Sequence, residues 1–141
     1  MSDLFYHTVI REGQLDLFGH LNNAAYLELY EEARWEILTQ AGYGLDVMEA
    51  TGHGIVVLRA EVSFLKELRN RDEIAIDMRL DKITRKLCTI KQTMKRGDEV
   101  CSEATFLMGF WDMKGRKLML PNERWLQVLK SGSGREPLAD G

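Results

Sequence analysis

The spacing of apolar residues changes along the chain, and these changes predict its elements. From Tyr26 to Gln40 apolar residues recur three or four positions apart, which predicts one long amphipathic helix. Arg34 and the glutamates of this segment are expected to face water. The apolar face is expected to consist of Tyr26, Leu27, Tyr30, Ala33, Ile37 and Leu38.

On both sides of this helix apolar residues alternate with polar ones, which is typical of strands. Residues 4–14 predict a first strand, and residues 46–54 an irregular connection or a short helical turn. Pro121 predicts the start of a short helix with Trp125, Val128 and Leu129 on its apolar side. The other expected strands cover residues 55–66, 72–82, 86–95 and 100–112, with a brief pairing at 118–120.

The order of strand, long helix and antiparallel strands predicts an α+β fold in which the sheet is laid around the helix. One helix of about four turns cannot cover both faces of such a sheet. Asp77 and its outward neighbours are polar enough for water, whereas Leu107 and Trp111 on the last long strand are less so. We therefore expect an oligomer. The inward positions are expected to be Ile74, Ile76, Met78 and Leu80, and Ala104, Phe106, Met108 and Phe110.

The composition is ordinary for a soluble globular protein, with 45% hydrophobic and 29% charged residues among 141. This length fits one domain, expected over residues 1–130, followed by a flexible tail over residues 131–141. The net charge of −3 gives no reason to expect a nucleic-acid partner. No apolar run reaches the roughly 18 residues that a membrane-spanning helix needs, so no membrane partner is expected.

Several other classes of protein and site are not indicated by the sequence. Residues Met1 to Arg11 include the acidic Asp3 and lack an apolar core of signal-peptide length. Cys88 and Cys101 have neither CxxC nor histidine spacing, so neither a zinc site nor a disulfide framework is expected. A cytoplasmic location is the simplest expectation. No phosphate-binding loop, dinucleotide fingerprint or nucleophile elbow occurs, and no cofactor is expected.

Four polar residues gather where the first strand gives way to the helix, namely Asp16, His20, Asn22 and Asn23. A helix N-terminus offers free N–H groups and partial positive charge, so such a cluster is either a cap or an active site. Asn22 or Asn23 can cap the helix, which leaves Asp16 available for chemistry. His20 alone is more typical of a structural histidine held by a carbonyl group or by Asp16. The other histidines are too dispersed along the sequence to form a metal-ligand pattern with it, so no metal is expected.

Two clusters of basic residues flank expected turns. For either cluster alone, the simplest explanation is that basic residues at a surface turn keep the protein soluble. The functional alternative is a handle for the phosphates of a ligand whose reactive end reaches Asp16. The clusters consist of Lys66, Arg69 and Arg71, and of Lys82, Arg85 and Lys86.

The polar cluster belongs to a longer motif, Asp-x-x-Gly-His-x-Asn-Asn-x-x-Tyr over residues 16–26, followed by Glu-x-x-x-x-Ala-Arg over residues 28–34. This pattern resembles the hotdog-fold acyl-CoA thioesterases, and is most similar to the 4-hydroxybenzoyl-CoA thioesterase-like family. Further similarity lies in the segments 62–66, 71–73, 84–86 and 120–123, so the resemblance covers roughly residues 4–130.

The resemblance implies a five- or six-stranded antiparallel sheet wrapped around one long central helix. It also implies homodimers that pair their sheets edge to edge and often pair again into homotetramers, with active sites at the dimer interface. Asp16 corresponds to the catalytic aspartate of the family, and the backbone N–H at about Asn23 polarises the thioester carbonyl. His20 and Asn22 would position water, substrate or Asp16. The implied substrate contacts are Gly19, Tyr26, Val57, Leu58, Arg85 and Lys86, the last two at the CoA phosphates.

The function implied by the resemblance is hydrolysis of an acyl-CoA thioester to a carboxylic acid and CoA. Asp16 would act as a general base on water or as a nucleophile that forms a mixed anhydride, and the sequence leaves both routes open. The alternatives are an acyl-carrier-protein thioesterase and a non-catalytic acyl-CoA-binding module. Glu31 or Glu32 is a minor alternative catalyst. Prototype-like members carry an aromatic residue where Asn23 stands, which weakens the case for a benzoyl substrate.

Overall fold

One long helix, α1 (Asn23–Gln40), lies against a curled antiparallel sheet in the computed structural model, which describes residues 5–132. Two shorter helices accompany it, α2 (Leu45–Thr51) and α3 (Glu123–Gly132). This is the predicted α+β architecture. The strands are β1 (Tyr6–Val9), β2 (His53–Phe64), β3 (Glu73–Ile76), β4 (Arg79–Thr84), β5 (Leu87–Arg96), β6 (Glu99–Asp112) and β7 (Lys117–Leu118).

The sheet runs in the order β1-β3-β5-β6-β2, and all of its paired strands are antiparallel. β4 also pairs with β5, beyond the end of β3, and the short β7 pairs with β6. β1 and β2 are therefore the two outer strands of this path. One edge of β2 pairs with β6, and the opposite edge has no partner strand among residues 5–132.

The prediction of a single strand over residues 72–82 is wrong, because this segment forms two strands, β3 and β4, with an interruption between them. Asp77 at the interruption is only 6% exposed and does not face water as predicted. Its carboxylate accepts the Thr93 N–H at 2.6 Å, and Arg79 Nε lies 3.2 Å from its second oxygen. A buried carboxylate requires such partners, and satisfying them displaces the chain from regular pairing with β5.

The core lies between α1 and the inner face of the sheet. The alternating residues predicted to point inward on β3, β4 and β6 are all buried, as are the predicted apolar residues of α3. Tyr30 joins the two layers by donating its hydroxyl hydrogen to Ser102 Oγ at 2.8 Å. Burying each large apolar side chain stabilises the fold by about 1.5–3 kcal/mol, so this interface between helix and sheet dominates the stability.

The inner face of α1 differs from the prediction at several positions. Leu27 is exposed, and Leu29 is buried in its place. Leu29 lies three positions after Tyr26 and so shares its side of the helix, whereas Leu27 is rotated about 100° away. Arg34 is buried instead of facing water, with its guanidinium 4.3 Å from the centre of the Phe106 ring. Burial lowers the pKa of Arg34 to about 10.

Several predicted ends shift by a few residues. The strand predicted over residues 4–14 covers only Tyr6–Val9, since residues 12–14 form a 3₁₀ turn closed by the Arg11 N–H on Gln14 Oε1. α1 begins at Asn23, earlier than predicted, and the segment after it contains the helix α2. The predicted tail lies outside the described residues except for positions 131 and 132, where α3 continues. No helix within residues 5–132 is long and apolar enough to cross a membrane.

Candidate active site

Asp16 closes a tight turn directly before α1. Its backbone N–H donates to the carbonyl oxygen of His20 at 2.8 Å. Its side-chain Oδ1 accepts two backbone N–H groups in return, from Phe18 at 2.9 Å and from His20 at 3.1 Å. Gly19 completes the turn with a φ of +81°, a conformation that favours glycine. One carboxylate oxygen therefore shapes the loop, while Oδ2 has no hydrogen-bond partner in the part of the chain that the structure describes.

Asn22 is the cap of α1, one of the two residues predicted for that role. Its side-chain Oδ1 accepts the Ala24 N–H at 2.8 Å, and its carbonyl oxygen accepts the next two N–H groups of the first turn. The N–H of Asn23 is left without an acceptor among residues 5–132. A helix N-terminus with one unpaired donor and partial positive charge is suited to bind a carbonyl oxygen or an anion.

Glu67 joins this site from the connection between β2 and β3, although the sequence indicated only a polar turn there. Its Oε2 lies 2.9 Å from His20 Nε2, and its Oε1 is paired with Arg69. The hydrogen bond from Arg69 lowers the pKa of Glu67, and the nearby charges of Arg69, His20 and Arg96 act in the same direction. No spacing rule in the sequence could have revealed this contact, because it joins two segments that are distant along the chain.

Backbone bonds attach the Asp16 turn to this connection. The N–H of Leu21 donates to the carbonyl oxygen of Leu68 at 2.8 Å, and His20 forms an isolated bridge with Arg69. Leu68 itself is fully buried. The loop that carries Asp16 is thus supported by the sheet as well as by α1.

The first basic cluster is neutralised by carboxylates. Lys66 lies 3.8 Å from Glu99, Arg71 lies 2.9 Å from Glu12, and Arg69 is paired with Glu67. All of these side chains are at the surface, where such pairs contribute little to stability. Their charges are nevertheless engaged, so this cluster fits the solubility interpretation better than the phosphate-handle interpretation.

Tyr26, a predicted substrate contact, is buried beneath Phe64. The two rings meet edge to face with centres 4.9 Å apart, and Phe64 remains half-exposed. Burial raises the pKa of Tyr26, and the negative charges of Asp16 and Glu67 act in the same direction. Phe64, which the sequence analysis did not select, is therefore the ring that a ligand would meet here.

The remaining predicted contacts lie at the opposite end of the sheet. Val57 and Leu58 are half-exposed at an irregularity near the start of β2. Arg85 and Lys86 form the turn between β4 and β5, where the carbonyl oxygen of Lys86 accepts the Phe110 N–H at 2.9 Å. The chain next to the Asp16 turn instead meets β6 at Cys101, which lies about 30 Å from Phe110 along an extended strand. A single chain does not bring the two parts of the predicted site together.

Residues 5–132 contain no group of three or more histidine, cysteine or acidic side chains that could hold a metal ion. The polar groups near Asp16 are instead one carboxylate, one imidazole and the free end of a helix. These groups can orient water, accept a proton and polarise a carbonyl group.

Comparisons with known proteins match most of the chain. A family model described as the thioesterase-like superfamily matches residues 10–129. The long-chain acyl-CoA thioesterase FadM of Escherichia coli (strain K12) is 28% identical over 112 residues, which cover 78% of this chain and 84% of FadM. The chloroplastic acyl-acyl carrier protein thioesterase ATL3 of Arabidopsis thaliana is 30% identical over 71 residues. That match covers 50% of this chain but only 37% of ATL3.

The fold is also that of solved thioesterases. A thioesterase of Thermus thermophilus, crystallised with coenzyme A and Zn, superimposes with a TM-score of 0.79 at 22% identity. The superposition covers 93% of this chain and 94% of the Thermus chain. This similarity shows the fold, and the matching family model shows the class of enzyme. The chain belongs to the thioesterase-like superfamily of thioester hydrolases and has the hotdog fold that its sequence predicts.

Proposed function

We propose that this protein hydrolyses acyl-CoA thioesters to a free carboxylic acid and CoA at the Asp16 turn. One observation carries the proposal: the loop holds Asp16 Oδ1 with two N–H groups and leaves Oδ2 free, in the turn that leads directly into the start of α1. The similarity to FadM, whose name specifies long-chain acyl-CoA, supports this class of substrate. The length and type of the acyl chain are open within it.

The start of α1 supplies the electrostatic part of the proposed reaction. When a nucleophile adds to the thioester carbon, negative charge develops on the carbonyl oxygen. The Asn23 N–H and the positive end of the helix stabilise that charge. Removing one such donor typically lowers the rate by about two to three orders of magnitude.

Asp16 supplies the nucleophilic part by one of two routes. In the first, Oδ2 takes a proton from water, the water oxygen bonds to the acyl carbon, and the C–S bond breaks to release the CoA thiolate. In the second, Oδ2 itself bonds to the acyl carbon, the C–S bond breaks to release the CoA thiolate, and water then hydrolyses the mixed anhydride to the carboxylic acid and free Asp16. A single turnover in ¹⁸O-labelled water, followed by mass analysis of the Asp16 peptide, tests the anhydride route. Label in the peptide shows an anhydride that water opens at the aspartyl carbon, and its absence excludes that step.

A second copy of the chain brings the two ends of the sheet together in this proposal. β2 begins at the end that carries Arg85 and Lys86 and finishes at the end near Asp16. Antiparallel pairing of two β2 edges sets the start of each strand beside the end of the other. The Asp16 turn of one subunit then faces the Arg85 end of its partner. The fully exposed Leu17, next to Asp16, provides apolar surface for such an interface.

The proposed assembly is a cytoplasmic homodimer or homotetramer. Sedimentation equilibrium of the purified protein is expected to give two or four copies per particle. A monomer that hydrolyses acyl-CoA at the full rate would contradict the shared site, because one chain keeps Asp16 and Arg85 far apart.

The phosphate handle in this proposal is the second basic cluster. Its Arg85 and Lys86 lie at the same end of the sheet as the turn between β6 and β7, because Phe110 bonds to both Lys86 and Met119. That second turn adds three further basic residues, Lys114, Arg116 and Lys117. Such a concentration of positive charge suits the phosphates of CoA.

The experiment that tests the substrate class compares matched thioesters. Hydrolysis of acyl-CoA, acyl-carrier-protein and acyl-pantetheine substrates with identical acyl chains is followed by thiol release. The proposal predicts the highest kcat/KM for acyl-CoA. A higher value for the carrier substrate would favour the carrier-protein alternative, which the similarity to ATL3 supports. Tight binding of acyl-CoA without turnover would favour the non-catalytic module.

A further inference from the structure

The contact between His20 and Glu67 determines which ring nitrogen of His20 carries the proton. His20 Nε2 and Glu67 Oε2 are 2.9 Å apart, a normal hydrogen-bond distance. An ionised carboxylate can only accept hydrogen bonds. The hydrogen of this bond therefore belongs to Nε2, and in the neutral imidazole Nδ1 is then a free acceptor.

Glu67 is itself held in place from several sides. Its second oxygen is paired with Arg69, and its backbone carbonyl oxygen accepts a hydrogen bond from Arg96 Nη1 at 3.2 Å. Arg96 is in turn fixed by Asp72 at 2.7 Å and by Glu99 at 2.6 Å. The carboxylate that meets His20 is thus attached to a network that spans β5, β6 and the connection after β2.

The backbone of His20 belongs to the Asp16 turn. Its N–H donates to Asp16 Oδ1, so the residue that carries the imidazole is bonded through its backbone to the carboxylate that the proposed reaction uses. The His20 side chain is 32% exposed, which leaves it accessible to water. Nδ1 has no hydrogen-bond partner within residues 5–132.

We propose that Glu67 is a positioning residue that fixes His20 with the proton on Nε2, so that Nδ1 accepts a hydrogen bond from the water that attacks beside Asp16. In this arrangement His20 takes no proton. The water proton passes to Asp16, while the bond to Nδ1 aligns the water oxygen. The role of the water rests on the proposed thioester hydrolysis by the route through water, whereas the tautomer of His20 does not.

The tautomer is tested without turnover, by long-range ¹H–¹⁵N spectra of the imidazoles at a pH where they are neutral. The chain has three histidines, so loss of one signal set in His20→Ala assigns the ring. We expect wild-type His20 to carry its proton on Nε2 and Glu67→Ala to show a mixture of tautomers. Glu67→Gln keeps a side-chain oxygen as acceptor and should restore the Nε2–H form.

Glu99→Gln is the matched control, because Glu99 shares the Arg96 network but has no contact with His20. Its His20 spectrum should equal that of the wild type. A wild-type ring protonated on Nδ1, or a tautomer that is unchanged in Glu67→Ala, would overturn the inference. So would an equal change in Glu99→Gln, since the effect would then come from the network as a whole.

Kinetics test the second half of the inference. Glu67→Ala should lower kcat for an acyl-CoA by about tenfold or more with KM little changed, and Glu67→Gln should recover most of it. In a His20→Ala background the same change should have no further effect, because Glu67 acts through the ring. Full activity of Glu67→Ala with an altered tautomer would overturn the positioning role. Wild-type protein that hydrolyses no thioester would refute the proposed function and leave the spectra to decide the tautomer.

Discussion

Asp16 and Asn22 accept different backbone N–H groups at the start of α1. Asn22 Oδ1 accepts the Ala24 N–H of the helix, whereas Asp16 Oδ1 accepts those of Phe18 and His20 in the preceding turn. The cap of the helix is therefore independent of Asp16. This separation allows each role to be tested by its own substitution.

Asn22→Ala should destabilise the fold, because the Ala24 N–H loses its acceptor. Loss of an asparagine cap costs typically about 1 kcal/mol. Urea unfolding followed by circular dichroism measures the difference, and Asn22→Ser should recover most of it. An Asn22→Ala variant as stable as the wild type would show that water replaces the cap without loss.

Asn23→Pro should abolish most activity without unfolding the helix. Proline is favoured at the first position of a helix, and Asn22 before it has the extended φ and ψ of −67° and 143° that proline requires. The substitution removes only the backbone N–H proposed to stabilise the oxyanion. We expect kcat to fall by about two to three orders of magnitude.

Asn23→Ala is the control for this experiment, because it retains the N–H and changes only the exposed side chain. It should stay close to the wild-type rate. If Asn23→Pro is folded and equally active, the oxyanion contact lies elsewhere.

Arg85→Gln should weaken the binding of CoA esters specifically. The φ of Arg85 is +55°, and glutamine replaces it without adding to the strain that arginine already bears. We expect a higher KM for acyl-CoA and an unchanged KM for an acyl-pantetheine, which lacks the nucleotide phosphates. Lys66→Gln, a charge removed at the Asp16 end, is the comparison. Equal effects on both thioesters would exclude the phosphate contact.

The Arg96 network should make the protein sensitive to acid. Burial opposes ionisation of Asp72, but hydrogen bonds from the Arg69 N–H and from Arg96 outweigh it and lower the pKa of Asp72. The hydrogen bond from Arg96 also lowers the pKa of Glu99. Groups with a lowered folded-state pKa stabilise the fold above their unfolded values and lose that contribution as the pH falls through the folded ones.

Wild-type stability should therefore decrease as the pH falls from neutral to below the ordinary pKa values of 4.5 for glutamate and 3.8 for aspartate, and Arg96→Gln should flatten that decrease while lowering stability at neutral pH. Urea midpoints measured across this range provide the test. A pH dependence that is identical in both proteins would assign the acid sensitivity to other carboxylates.

The sequence predicted the core better than the pairing of strands. Alternation placed Ile74, Ile76, Met78 and Leu80 inward correctly, yet it could not reveal the interruption at Asp77. The alternation continues across that break, and only the contacts of Asp77 with Thr93 and Arg79 disclose it. A pattern along one strand contains no information about the hydrogen bonds of its neighbour.

The candidate site was predicted where it depends on local sequence. Asn22 as cap follows from a residue type that favours that position. Glu67 was missed because its contact with His20 depends on the tertiary fold. The burial of Arg34 was missed for the same reason, since the Phe106 ring beneath it comes from β6.

The central claim is that the Asp16 carboxylate takes part in catalysis and does more than hold the turn together. Asp16→Asn tests this claim most directly. Asparagine keeps Oδ1 as the acceptor for Phe18 and His20, so the turn and the unfolding midpoint should be unchanged. Only the charge and the basic Oδ2 are lost. We predict that kcat for the best acyl-CoA substrate falls by about a hundredfold or more. A folded Asp16→Asn protein that hydrolyses the same substrate at the wild-type rate would contradict the account.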